Sequence, residues 1–400
     1  MKFTKRLLSL LLAAFWGTVG VAQQSPLKIT ADYPGGNIIV EKIVGDTVWL
    51  QQDLRDTKGY WFYWNFKISG VSGRTIYFRF RDKPVFTLFG PAYSLNNDFS
   101  WSWLGEMSHT DTSFSFTFSK KDTLALFSMG IPYTQKNLTQ FLSSVQDRQR
   151  LRLDTLCFSE RGRAVERMMI KPDHKAKYRV LISARNHACE AMANYEMEGL
   201  IDAILNEVNL QYLRDYVEFM VVPFMDKDGV EDGDQGKNRQ PRDHNRDYGE
   251  HSIYSSIRAL KSAVNKWSEG KIRITLDLHC PYIRGDGNEI IYVVGEKDPE
   301  MSKKQVFFSD LLEKNNRGEL KFYSRDFVAY GTSWNTDKNY TQGMSFSEWG
   351  TSVPGNSLST TIEFPYAMVS GVMVTKDNAR AFGKTVAYAI MDYLKGLKEK

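Results

Sequence analysis

The chain has 400 residues, 42% hydrophobic and 25% charged, enough to bury more than one core and to build at least two domains. Its formal net charge of +5 comes without a Lys/Arg cluster and without aromatic-basic interleaving, which excludes a nucleic-acid footprint. Three cysteines, Cys157, Cys189 and Cys280, are too few for a disulfide framework; at most one pair forms, and buried free thiols are the expected state of Cys189 and Cys280.

In chain order, a basic head from Met1 to Arg6 precedes an apolar body from Leu7 to Trp16 and the small-residue stretch Gly20-Val-Ala22. This is the pattern of a signal peptide over residues 1–22, whose removal with Lys2, Lys5 and Arg6 leaves a net charge of about +2. The expected location is exported, periplasmic or secreted, with no membrane association after cleavage. Residues 23–130 form the next unit. Thr47-Val-Trp-Leu50, Thr75-Ile-Tyr-Phe-Arg-Phe80 and Ser113-Phe-Ser-Phe-Thr-Phe118 alternate with period two between turn residues, which predicts antiparallel strands and a β-sandwich. Its aromatics read chiefly as core.

From residue 131 to 400 the texture changes to apolar strands separated by helical patterns. A helix is predicted through Leu138 to Gln149, a buried strand at Lys177–Ser183, a helix over Ala191–Leu205 and a strand at Val217–Pro223. Further strands are expected at Ile272–Leu278, Glu289–Val294 and Ser359–Phe364, and a last helix capped by Thr375 runs towards Leu397. The fold class is therefore α/β: a mixed, mostly parallel sheet covered by helices on both faces. Ligands bind at the carboxyl ends of such strands.

Several residues converge there. Arg185-Asn-His187-Ala-Cys-Glu190 follows the first apolar strand, and Ile272-Arg-Ile-Thr-Leu-Asp-Leu-His279 ends another in a histidine. Two imidazoles and a carboxylate are the ligand set of a catalytic zinc site, which keeps a further position for water. His-x-x-Glu alone is a weak pattern; the histidine at the end of a second core strand strengthens it. Arg239, Arg242, Asn245 and Arg246 crowd one loop after a strand, and guanidinium forks bind carboxylates bidentately. Glu363 sits in the apolar, β-branched run Leu358-Ser-Thr-Thr-Ile-Glu363, where a charge is costly unless it is paired or has a catalytic task.

In this order and on this frame, the four segments resemble the zinc carboxypeptidase family, M14, and in particular its cytosolic carboxypeptidase-like branch, which carries a β-sandwich ahead of the catalytic domain. The resemblance implies one zinc ion held by His187, Glu190 and His279, a peptide or protein C-terminus as substrate, and Glu363 as general base. It implies that Asn245 and Arg246 hold the terminal carboxylate and that Asp243 orients the first zinc histidine. For the arginine that polarises the scissile carbonyl, Arg239 is preferred and Arg242 remains open. Tyr340, in Asn339-Tyr-Thr-Gln-Gly343, resembles the surroundings of the family's mobile substrate-binding tyrosine. Many relatives have Pro-Gly where this chain has Ala188-Cys189. Two other readings stand beside this one: a non-catalytic glycan- or protein-binding module on a peptidase-like scaffold, and a zinc amidase acting on N-acyl amino acids or peptidoglycan peptides.

Overall fold

The computed structural model describes residues 25–81, 84–95, 99–285 and 287–397. The expected signal segment, Met1 to Ala22, lies outside them.

The N-terminal half contains β1 (Lys28–Thr30), β2 (Ile39–Val44), β3 (Thr47–Gln51), β4 (Asn65–Ser69), β5 (Thr75–Phe80), β6 (Ala92–Leu95), β7 (Ser102–Trp103), β8 (Ser113–Thr117) and β9 (Leu124–Ser128). They form one sheet of order β1-β4-β9-β6-β7 and a second of order β2-β3-β5-β8. The alternation seen in the sequence is the burial pattern: Ile76, Phe78 and Phe80 of β5 point inward while Tyr77 and Arg79 face out. The two sheets meet through rings, with Phe78 5.6 Å from Phe66 and 5.1 Å from Phe127 between centroids. One pairing departs from the antiparallel expectation, because β3 and β5 run parallel.

The C-terminal half continues with α1 (Gln135–Ser144), β10 (Leu151–Phe158), β11 (Ala164–Ile170), β12 (Tyr178–Ala184), α2 (Met192–Asn206), α3 (Gln211–Tyr216), β13 (Val217–Val222) and α4 (Lys227–Asp232). It ends with α5 (Ser255–Trp267), β14 (Ile272–His279), β15 (Tyr292–Val294), α6 (Pro299–Asn315), α7 (Phe346–Thr351), β16 (Leu358–Glu363), the short β17 (Met368–Val369) and β18 (Val372–Met373), and α8 (Lys376–Gly396). The seven-stranded sheet has the order β10-β11-β13-β12-β14-β16-β15. Its centre, β13-β12-β14-β16, is parallel, and the flanking pairs are antiparallel. Successive residues of the central strands enter different cores. Val180 and Ile182 join the cluster containing α2 and α8, whereas Leu181 joins that of α5 and α7.

Two expectations need adjustment. The first helix is shorter than predicted and ends at Ser144, and the hairpin β10-β11 follows where no strands were expected. β10 carries charged residues on an exposed face, Arg152 and Asp154 among them, which weakens its apolar signal. Among the described residues, no helix is long and apolar enough to cross a membrane.

Candidate active site

The parallel strands deliver the metal-binding residues. β12 ends at Ala184, and the chain turns at Arg185, whose φ is 61°, to present His187 and Glu190 just before α2. β14, next to β12, ends in His279; β16, next to β14, ends in Glu363, which is the register partner of His279. Two side chains from the loop after β12 and one each from the ends of β14 and β16 therefore share the carboxyl end of the sheet.

His187, Glu190 and His279 are buried, and each offers a ligand atom within 4.8 Å of the others. Both imidazoles turn Nδ1 towards Glu190: His187 Nδ1 lies 3.0 Å from Oε1 and His279 Nδ1 2.8 Å from Oε2. Their Nε2 atoms face other carboxylates, Asp243 Oδ1 at 3.7 Å for His187 and Asp277 Oδ2 at 2.5 Å for His279. For His279 the hydrogen bond to Asp277 fixes the proton at Nε2 and leaves the Nδ1 lone pair for a metal, whereas Asp243 lies beyond hydrogen-bond distance of His187. Asp277 is itself held by Ser183 Oγ at 2.6 Å and by Asn186 Nδ2, which donates to both of its oxygens at 2.9 Å.

The electrostatics fit a cation at this point. Burial alone would lower the His279 pKa, but Asp277 and Glu190 outweigh it and push it well above the usual imidazole range. Burial works to raise the Glu190 pKa, yet Lys237 and the two histidines hold it well below the carboxylate range. A buried carboxylate already stripped of its proton and two imidazoles facing it are what zinc requires of its ligands. Glu363 is different. Burial raises its pKa, helped by Glu190 and opposed by His279 and Lys237, and its Oε2 is buried without a hydrogen-bond partner.

The loop from Asp234 to Tyr248 supplies the rest. Asn245 accepts from the Phe346 backbone N–H at 2.9 Å, which places its amide nitrogen 3.2 Å from His279 Nε2. Arg246 donates from Nε to Asn339 O and from Nη1 to Asn245 O, and its guanidinium sits 4.8 Å from the centre of the Tyr340 ring. The Tyr340 hydroxyl donates to Asn335 Oδ1 at 2.8 Å. Asn245, Arg246 and Tyr340 are thus brought together beside the metal-binding residues.

The two remaining arginines are placed otherwise. Arg239 is buried, with Nη1 2.5 Å from Asp226, Nη2 2.5 Å from Asp234 and Nε 2.9 Å from Asp56. Three carboxylates surround its guanidinium and draw it into an ion-pair network. Arg242 pairs with Asp247 at 2.8 Å and donates to His251 O. Two side chains of the site that the sequence did not single out are Asp277 and Lys237, whose Nζ lies 2.6 Å from Glu190 Oε1. All three cysteines are free thiols; Cys189 and Cys280 are buried, and Cys189 Sγ accepts from Gln235 Nε2 at 3.0 Å.

Comparison with known proteins places this arrangement in its class. The family model described as zinc carboxypeptidase, Peptidase M14, matches residues 138–365. The chain belongs to that family: it is a metallocarboxypeptidase, with His187, Glu190 and His279 as its zinc ligands. Human cytosolic carboxypeptidase 6 is 24% identical over 303 residues, covering 70% of this chain and 58% of that protein. The chain thus spans little more than half the length of that relative. An uncharacterized Zymomonas mobilis protein is 22% identical over 353 residues, covering 85% of this chain and 88% of its own. A metallo-carboxypeptidase from Burkholderia cenocepacia has the same fold, with a TM-score of 0.75, 18% identity and coverage of 93% of this chain and 99% of that one.

Proposed function

We propose that the protein is exported and removes C-terminal amino acids from peptides or proteins, with Glu363 as the general base. The observation that carries this reading is the Glu363 carboxylate: buried, with an unpartnered Oε2, its pKa raised by burial, at the end of the strand next to His279. When bound, zinc supplies Lewis acidity that lowers the pKa of a water and polarises a carbonyl. Glu363 takes a proton from the attacking water and returns it to the leaving amine. Its raised pKa suits the first task, because the conjugate base of a weaker acid accepts a proton more readily.

Arg246 and Asn245 hold the terminal carboxylate. Two of the Arg246 donors are fixed by backbone carbonyls, which aims the planar group and leaves Nη2 for a ligand. The Tyr340 ring beneath it restricts its rotation. Asp277 keeps the His279 imidazole in register, and Asp243 faces that of His187. Export is supported by the basic head, apolar body and small-residue end of Met1 to Ala22, and the mass of the protein recovered from each cell fraction checks it.

The zinc-loaded protein is expected to release single free amino acids from a mixed peptide library, and blocking the peptide C-terminus as an amide should abolish release. Glu363→Gln at full zinc occupancy is expected to lose at least two orders of magnitude in kcat, since a positioned base contributes about 10²–10⁴-fold. An unchanged rate in that variant removes Glu363 from the reaction. Zinc binding without product from any peptide would make the protein a binding module.

A further inference from the structure

We propose that Lys237, rather than an arginine, is the catalytic cation that donates to the oxygen of the scissile carbonyl as negative charge develops on it. The proposal rests on the carboxypeptidase reading above. Zinc carboxypeptidase chemistry gathers negative charge on that oxygen while the water oxygen bonds to carbon, and a donor waiting at its position lowers the barrier. The arginines expected for the task are committed elsewhere, Arg239 to Asp226, Asp234 and Asp56 and Arg242 to Asp247, and Arg246 has the terminal carboxylate to hold. Arg185, also close in sequence to the ligands, spends its donors on Ala188 O, Tyr133 O and Asn194. The remaining cation is Lys237.

Its position is built rather than incidental. Gly236 has a φ of 82°, and a Cβ there would lie 2.3 Å from the Ala188 amide nitrogen and 3.0 Å from His187 Cα, so this turn is pressed against the ligand loop where only glycine fits. The next residue is thereby driven into the site. Gln235 anchors the turn: its backbone carbonyl accepts from Cys189 N at 3.2 Å, and its side chain bonds Cys189 Sγ and accepts from the amides of Phe62 and Tyr63. Lys237 Nζ donates to Cys280 O at 2.8 Å and faces Glu190 Oε1 at 2.6 Å, one partner beside each metal-binding strand end. An ammonium has three donors, and the third is left for a ligand at the metal's edge. Glu363 is the register partner of His279, and Lys237 bonds the carbonyl of the residue after His279, so base and cation stand at the same strand end.

The electron count closes without a further reactant. As the water oxygen bonds to carbon, the carbonyl π pair moves to oxygen, where Lys237 meets it; Glu363 takes the proton. The pair then returns, the C–N bond breaks, and the proton on Glu363 passes to the amine. Lys237 keeps all its protons throughout.

The experiment uses the zinc-loaded full-length protein, its best peptide from the library, and a phosphonate analogue of that peptide with a tetrahedral phosphorus in place of the scissile carbon. Lys237→Met is expected to lose about 10²–10³-fold in kcat with KM nearly unchanged. It should bind the phosphonate weaker by a similar factor, bind the free amino-acid product as wild type does, and keep its zinc affinity, read by chelator competition, within a few-fold. Lys237→Arg, which keeps a charged donor, should recover part of the loss and covers the case in which the methionine variant does not fold. The proposal is overturned if zinc affinity falls in step with kcat, which would make Lys237 a support for Glu190, or if phosphonate affinity is unchanged. A wild-type enzyme that releases no amino acid would instead refute the activity itself, independently of Lys237.

Discussion

A histidine that ligates through Nδ1 must present its Nε2–H to an acceptor, or the ring is free to turn and to ionise. For His279 the acceptor is Asp277 at 2.5 Å, which Ser183 and Asn186 hold in place, and Tyr248 in turn donates to Asn186 Oδ1 at 2.9 Å. Asp277→Asn keeps the size and removes the charge, so zinc affinity is expected to weaken about 10–100-fold, measured by chelator competition. An unchanged affinity would show that His279 needs no such partner. Asp277 was not singled out in the sequence, although it stands two residues before His279 in a strand and a period of two puts both side chains on one face. Lys237 was not, because a lone lysine among Arg, Asn and Asp in a polar loop reads as solvated, and only the docking of that loop half-buries it against Glu190. The ion-pair network of Arg239 was hidden for the complementary reason. Its three carboxylate partners, Asp56, Asp226 and Asp234, come from separate stretches of chain that local sequence cannot bring together.

At the scale of elements, the sheet was readable because its central strands are continuous apolar runs, as parallel strands buried on both faces must be. The outer hairpin β10-β11 was not, since its edge strand is half exposed and charged. Helices α2 and α8, which cover one face, approach so closely that glycines are required: a Cβ on Gly383 would lie 1.9 Å from Glu196 O, and one on Gly199 2.0 Å from Arg380 O. Gly383→Ala gains about 1 kcal/mol of helix propensity. Forcing a methyl into packed backbone costs about 3 kcal/mol, so the variant is expected to be about 2 kcal/mol less stable in urea unfolding. A neutral or stabilising effect would contradict the close approach. The same interface buries Glu196 with both oxygens unpartnered, and burial alone pushes its pKa well above the usual value. A raised native pKa means that the folded state holds a proton the unfolded state releases. The contribution of Glu196 is therefore fully present below its unfolded pKa and is lost as pH rises through the folded one, by up to about 1.4 kcal/mol per pH unit. Glu196→Gln has nothing to titrate, so its stability relative to wild type should grow between pH 5 and pH 8. A pH-independent difference would mean that Glu196 is not held protonated.

Across the whole molecule, the N-terminal sheets are not an appendage, because they dock on the loop that carries the catalytic cation. Asn37 donates to Gly233 O at 2.7 Å, Arg55 pairs with Asp234 at 2.6 Å, and Lys58 N bonds Asn238 O. Phe62 packs edge-on against Tyr282 and Tyr366 of the other half, and one hydrophobic cluster runs through both. The centre of this contact is Gln235, whose side-chain oxygen accepts from Phe62 N at 3.2 Å and Tyr63 N at 2.9 Å while its amide nitrogen reaches Cys189 beside the zinc ligands. Two halves joined through a shared core and buried hydrogen bonds unfold together, so calorimetry of the intact protein is expected to give one transition. Gln235→Ala leaves two buried backbone donors without an acceptor, each costing about 1–3 kcal/mol. The transition should move to lower temperature as a unit, and kcat should fall in the folded protein because the turn that aims Lys237 loses its side-chain bonds to Phe62, Tyr63 and Cys189 Sγ and keeps only the backbone bond from Cys189 N. If the N-terminal half alone melted earlier while kcat stayed at the wild-type value, the sheets would be a separate module, and Gly236 by itself would suffice to place Lys237.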